Sequence, residues 1–245
     1  MKIYTQDGCL EVGRKAAQLV VAQMICKQKS VLGLATGSTP IAMYEELAEM
    51  CEYGDLDFKD ITTFNLDEYL GLDKDNEQSY AYFMNTHLFK YINIKKENIH
   101  IPSGITKDIK KTCEDYDKAI LENGIDLQVL GIGTNGHIGF NEPSDHFEAG
   151  THLVDLDKET IEANARFFES IDEVPRQAIS MGIKNIMQAK KVVLIAYGEN
   201  KIDAIKKMLF GEITPNLPAS ILQAHGDFTL VIDEEIGDAI KDLLA

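Results

Sequence analysis

Short apolar runs alternate with stretches of helical spacing along almost the whole chain, and this alternation constrains the fold more tightly than any other feature. Residues 31–35, 61–66, 127–132, 192–196 and 228–232 are runs of strand length. Residues 7–27, 40–52, 79–91, 108–122, 160–169, 200–210 and 234–244 carry the helical spacing. Asp7 is a candidate cap for the first helix, whose apolar side would hold Leu10, Ala17, Val20, Val21 and Met24. Gly54, Asn123-Gly124 and Gly211 supply stop signals. Residues 99–102 read as one more short extended piece. Strands that are apolar throughout need cover on both faces. They predict an α/β fold, a mostly parallel sheet with helices on both faces. In such sheets ligands bind beyond the carboxyl ends of the strands, so the loops that directly follow strands carry the functional information.

With 245 residues, 44% of them hydrophobic, the chain can bury a large core as one domain, residues 1–245. The net charge of -16 argues against nucleic acid or an anionic membrane as a partner. It would also repel an anionic small molecule, whose basic contacts must then be concentrated locally. Cys9, Cys26, Cys51 and Cys113 form no C-x-x-C pair and no zinc spacing with histidine, and no metal cluster is visible. They read as small buried hydrophobes in a reducing compartment. The first residues, Met1 to Asp7, lack the apolar core of a signal peptide. No stretch reaches the ~18 apolar residues that a membrane span needs. The expected location is the cytoplasm.

Three loops stand out at strand ends. In Thr36-Gly37-Ser38-Thr39-Pro40, Ser38 or Thr39 suits a helix cap and Pro40 the first helical position. A helix N-terminus offers N–H groups and partial positive charge to a phosphate, but the same residues would serve as a plain cap. The Gly-Lys-Ser/Thr ending of a P-loop is missing. In Phe64-Asn65-Leu66-Asp67-Glu68-Tyr69, two acids follow a strand. Neighbours on an extended chain point to opposite sides, so only one acid would face a site, where it could take a proton from carbon. The third loop runs Gly131-Ile132-Gly133-Thr134-Asn135-Gly136-His137-Ile138-Gly139-Phe140-Asn141-Glu142-Pro143. It contains G-x-G-x-x-G, but Gly139 and Pro143 follow too soon for the third glycine to open a helix, which argues against a dinucleotide site. It does hold a histidine with an amide two residues before it and a carboxylate five after it, an arrangement suited to proton transfer near neutral pH.

In this order and spacing, residues 32–40, 64–69 and 136–143 resemble the signatures of the glucosamine-6-phosphate deaminases, within the glucosamine/galactosamine-6-phosphate isomerase family. The resemblance implies a modified Rossmann-like fold that uses no nucleotide, and conversion of glucosamine 6-phosphate and water to fructose 6-phosphate and ammonia. It implies that His137 moves the proton during ring opening, that Glu142 and Asn135 orient and tune it, and that Asp67 takes the C2 proton and returns it at C1. It places phosphate on Thr36, Gly37, Ser38 and Thr39, completed by Arg166 and Lys201, which answers the charge problem. Residues 157–174 would form a small lid over the sugar. No cofactor is expected, because no redox change occurs. Tyr69 and Tyr80 could border the sugar, although Tyr80 reads equally well as core.

Two departures from the family pattern matter. Many relatives carry aspartate where this chain has Asn135, whose amide can hydrogen-bond His137 but adds no charge. Allosteric, hexameric relatives have longer C-termini and a basic cluster after the Asn-Glu-Pro segment, whereas residues 144–154 here contain no Lys or Arg. Activation by N-acetylglucosamine 6-phosphate is therefore expected to be weak or absent, and the short C-terminus inclines the expectation towards a monomer. The competing readings are a 6-phosphogluconolactonase, whose loop would lack the Phe-Asn-Glu-Pro ending, and a non-catalytic sugar-phosphate sensor, which would need a DNA-binding module.

Overall fold

The structure, a computed structural model, describes residues 1–165 and 168–244. In chain order the strands are β1 (Lys2–Gln6), β2 (Val31–Leu34), β3 (Thr62–Asn65), β4 (Asp67–Tyr69), β5 (Ile99–His100), β6 (Leu127–Leu130), β7 (His152–Asp155), β8 (Gln177–Ser180), β9 (Val192–Ala196) and β10 (Phe228–Asp233). The helices are α1 (Gly8–Cys26), α2 (Ile41–Glu52), α3 (Tyr80–His87), α4 (Ile109–Asn123), α5 (Lys158–Asn164), α6 (Ile183–Met187), α7 (Ile202–Phe210) and α8 (Glu234–Ile240).

A seven-stranded sheet in the order β1-β10-β9-β6-β2-β3-β5 forms the centre. All its pairings are parallel, as the uniformly apolar runs predict. On one face, α1, α2 and α3 cover Leu32, Leu34, Leu127, Val129, Val193 and Ile195. On the other, α4, α6, α7 and α8 cover Phe64, Leu130, Leu194, Leu230 and Ile232. Burial of these side chains contributes about 1.5–3 kcal/mol each and is the main favourable term for this sheet. At its amino end the carboxylate of Asp126 is buried, accepting from Lys27 Nζ at 2.5 Å, Lys190 Nζ at 2.8 Å and the Val31 N–H at 2.8 Å. Among the described residues, no helix is long and apolar enough to cross a membrane.

A second, three-stranded antiparallel sheet, β4-β8-β7, leaves the first at Leu66. The Leu66 N–H donates to the Leu34 carbonyl in the large sheet, and its carbonyl accepts from Met181 N, beside the small one. The apolar pattern does not reveal this second sheet. β4 is Asp-Glu-Tyr, while β7 and β8 are four residues each and partly polar. β1 also escapes the pattern, because it is an edge strand in which Lys2 and Thr5 are exposed.

Several helix ends differ from expectation. Asp7 precedes α1 but makes no side-chain capping bond, and Leu10 is 66% exposed rather than on the apolar side. Pro40 stands just before α2 rather than at its first position, and no side-chain cap closes the turn. Residues 79–91 break at Leu88, whose φ of -139° and ψ of -62° leave helical geometry, into α3 and a 3-10 turn, Phe89–Tyr91. Of the helix expected at 160–169, α5 covers Lys158–Asn164 and residues 166–167 lie outside the described residues, and the one expected from 200 opens with a 3-10 turn at Glu199–Lys201. α8 ends at Ile240, with a 3-10 turn after it. Of the cysteines only Cys113 is buried; Cys9 and Cys26 are exposed and Cys51 is partly covered, so their reading as core hydrophobes fails for three positions.

Candidate active site

A cavity of about 490 Å³ opens beyond the carboxyl ends of β2, β3, β6 and β9. The loop from β2 into α2 supplies Thr36, Gly37, Ser38 and Thr39 to its wall. Gly37 has φ of +93°, which a side chain would strain, and this turn brings the backbone to the cavity. Lys201 lines the same cavity, at the entry to α7, together with Gly198 and Asn200. These residues therefore share the lining of one cavity. Arg166 lies outside the described residues.

Asp67 faces the cavity and is 5% exposed. Burial, with a smaller contribution from neighbouring Glu68, pushes its carboxyl up to about 8. Glu68 points the other way, as alternation along a strand requires. Its oxygens accept from the N–H groups of Tyr69, Tyr80 and Ala81, which fixes the start of α3. Gly139 permits the close approach of the third loop to Asp67. Its φ is +58°, and a Cβ there would lie 3.2 Å from Ser180 Oγ and 3.5 Å from Asp67 Oδ2.

The third loop is a loop throughout, as Gly139 and Pro143 suggest. The His137 ring packs over Gly133, where a Cβ would come within 2.4 Å of it. His137 Nδ1 stands 3.2 Å from Glu142 Oε2, at ion-pair distance but without hydrogen-bond alignment. Asn135 does not bond the imidazole. Its Oδ1 accepts from the backbone N–H of His137 at 3.1 Å, and its Nδ2 donates to Glu142 Oε2 at 2.9 Å. The amide thus sets the relation between the two residues instead of partnering the ring. The second Glu142 oxygen accepts from Thr160 Oγ1 at 2.5 Å. Burial alone would raise the Glu142 carboxyl, but His137, Thr160 and Asn135 together hold it below the ordinary carboxylate range.

Sequence reasoning missed Thr160 and Asn164, which reach the cavity from α5, and Tyr197 from the end of β9. Thr160 stood at the start of an expected helix, where hydroxyl residues usually serve the backbone, so nothing in the pattern marked it. Tyr80 does line the cavity, within a cluster with Tyr69 and Phe140 at ring-centre distances of 4.7 and 5.8 Å. Tyr69 is 2% exposed and belongs to the packing beneath it. In chemical terms, the site sets a buried, proton-holding carboxyl and a histidine–carboxylate pair around one cavity, with the turn from β2 into α2 in its wall.

Comparison with known proteins agrees with this geometry. The family described as glucosamine-6-phosphate isomerases/6-phosphogluconolactonase matches residues 6–231. A glucosamine-6-phosphate deaminase from Lachnoclostridium phytofermentans is 57% identical, with 94% of this chain and 98% of that protein covered. One from Clostridium acetobutylicum is 56% identical, covering 96% and 98%. The structure of a monomeric glucosamine-6-phosphate deaminase superposes with a TM-score of 0.94 at 41% identity, over 98% of this chain and 100% of that one. The 6-phosphogluconolactonase of Thermotoga maritima shares the fold, with a TM-score of 0.74, 22% identity and coverage of 95% and 99%. The fold, the cavity and these matches agree that the chain belongs to the glucosamine-6-phosphate isomerase/6-phosphogluconolactonase family.

Proposed function

We propose that this protein converts glucosamine 6-phosphate and water to fructose 6-phosphate and ammonia in the cytoplasm, acting as a monomer. The observation that carries the reading is the buried carboxyl of Asp67, turned into the same cavity as His137, with Glu142 behind the ring. His137 moves a proton between the ring oxygen and the C1 hydroxyl, opening the pyranose. Asp67 takes the proton from C2 and delivers it to C1, while the C2 ammonium gives up one proton and the C1 aldehyde oxygen gains one to become a hydroxyl. The C2–N bond becomes an iminium, water adds to C2, and ammonia leaves with the C–N bonding pair. Electrons are redistributed within substrate and water alone. A positioned acid–base group is worth about 10²–10⁴-fold in such steps.

A carboxyl held near 8 is mostly protonated at neutral pH, whereas a base must be ionised. The ammonium at C2 of the amino sugar supplies the opposite charge that makes the carboxylate favourable once substrate is bound. Phosphate rests on residues 36–39 and on Lys201, with Arg166 completing its contacts, and residues 157–174 close as a lid. The deciding experiment measures ammonia and fructose 6-phosphate together. Equal amounts of both are expected, with kcat/KM rising with pH towards about 8 and kcat less sensitive, since bound substrate shifts the base. Hydrolysis of 6-phosphogluconolactone without ammonia release would replace this reading with the lactonase one. Residues 144–154 carry Asp145, His146, Glu148 and His152 and no Lys or Arg. Addition of N-acetylglucosamine 6-phosphate should accordingly leave half-saturation unchanged, which a substrate titration with and without it checks.

A further inference from the structure

We propose that Ser180 is a positioning residue for Asp67, whose single hydroxyl holds the third loop and turns its hydrogen to the neighbouring carboxylate when that carboxylate is ionised. The catalytic meaning of this pair rests on the deaminase reading above. Asp67 on β4 and Ser180 on β8 are direct partners in the antiparallel ladder. Met181 N donates to the Leu66 carbonyl and Leu70 N to the Gln177 carbonyl, which fixes the alternation of bonded pairs along the two strands. Asp67 and Ser180 fall on a pair without backbone bonds between them, the kind whose side chains stand closest, on one face of the sheet. Asp67 is nearly buried and Ser180 fully so.

The third loop meets this pair at Gly139. A Cβ there would lie 3.2 Å from Ser180 Oγ, 3.5 Å from Asp67 Oδ2 and 3.6 Å from Asn141 Nδ2, so three polar atoms border one point. Their hydrogens are unequally committed. Asn141 Nδ2 donates to two backbone carbonyls, of Ile138 at 2.9 Å and of Met181 at 2.8 Å, and has none left for Asp67. Ser180 Oγ accepts from the Phe140 N–H at 3.0 Å, and its own hydrogen reaches no acceptor among the described residues. The Asp67 carboxyl meets no donor among them either. An unmet donor and an unmet acceptor thus face each other across one strand pair. While Asp67 holds its proton, neither lack is severe. Once it is ionised, a buried charge without a donor is costly, and side-chain rotation alone brings the hydroxyl hydrogen to it. A hydroxyl can serve both partners at once, accepting through a lone pair and donating through a hydrogen that turns about the Cβ–Oγ bond. Phe140 lies between His137 and Glu142 in the chain, so this one oxygen ties the base to the loop that carries the histidine pair.

The test titrates the Asp67 carboxyl in ligand-free protein by NMR of labelled aspartate, with Asp67→Asn identifying its signal. In Ser180→Ala the midpoint should lie about one pH unit above that of the wild type, the scale of one hydrogen bond to a charged group. Ser180→Cys keeps the shape but donates weakly, and should move the same way. Ser180→Thr keeps the hydroxyl and should titrate as the wild type does. The other titratable groups around Asp67 are Glu68, Tyr69, Tyr80 and Tyr116, with His137 and Lys201 in the cavity wall, and every variant leaves them in place. A role confined to holding the loop predicts the opposite sign, because a loosened loop admits water and lowers the midpoint. In turnover, kcat/KM at pH 7 should fall roughly 10-fold in Ser180→Ala, with the deficit shrinking as pH rises past both midpoints. The titration needs no turnover, so it tests the pair even if the wild type releases no ammonia and the deaminase reading itself fails. The proposal is overturned if either Ser180→Ala or Ser180→Cys titrates at or below the wild-type midpoint, or if Ser180→Thr shifts as far as they do.

Discussion

Two buried aspartates sit at opposite ends of the same parallel sheet and are treated in opposite ways. At the amino end, Asp126 is surrounded by donors, and although burial opposes ionisation, Lys190, Lys27 and the Val31 N–H hold its carboxyl below the ordinary range. At the carboxyl end, Asp67 has Glu68 for a neighbour and no hydrogen-bond donor among the described residues, and its carboxyl is pushed up to about 8. The residue type and the burial are the same, at 2% and 5% exposure. What differs is the supply of partners. One carboxylate contributes to the fold, and the other is kept chemically available at a cost to it.

The sharpest way to break this contrast is Asp67→Asn. Its kcat should fall by at least ~10²-fold, as the product assay reads. The same variant should be more stable than wild type at pH 8 and indistinguishable near pH 4. The Asp67 carboxyl ionises near 8 in the fold and near 3.8 when unfolded, so wild-type stability falls as pH rises between those values. Denaturant midpoints across that range would expose a carboxylate that is not costly if the two proteins ran parallel.

Asp126→Asn tests the other end. Stability at pH 7 should drop by about 1–2 kcal/mol, a figure reduced because both lysines stand partly in solvent. The sign is opposite to that at Asp67. The depressed carboxyl contributes stability above its unfolded value, and that contribution is lost as pH falls through the folded one, so the gap between variant and wild type should close in acid. Turnover should stay within about 2-fold, since the site is at the far end of the sheet. The smallest effect is expected from Asn135→Asp. It replaces the donor on Glu142 Oε2 with a second carboxylate and should move the acidic limb of the rate profile by about one pH unit or less, with a modest change in kcat.

The large sheet was legible because buried parallel strands must be apolar on both faces, and 31–35, 127–132, 192–196 and 228–232 are so. The small sheet was not, because its strands are short and half polar, and their pairing is decided by where Leu66 leads the chain. Among site residues, the Asp67 and Glu68 pair could be read from alternation alone, with one acid inward and one outward. The partners of Glu142 could not. Asn135 turned out to bond the backbone of His137 and the carboxylate, not the ring. Thr160, brought in from 18 residues away, has no local signature of that contact. Spacing shows which residues share a loop, but not which lone pair each donor reaches.

The switch of sheets at Leu66 also acts as a ruler for the chain. The residue is hydrogen-bonded into one sheet through its N–H and to the start of the next through its carbonyl, so the position of the following side chain is referenced twice. Crossover helices can lengthen, shorten or drift without disturbing it. A single inserted or deleted residue at 66 would exchange the inward and outward places of Asp67 and Glu68. The joint thus fixes the length of the chain at this point, and with it which acid faces the cavity.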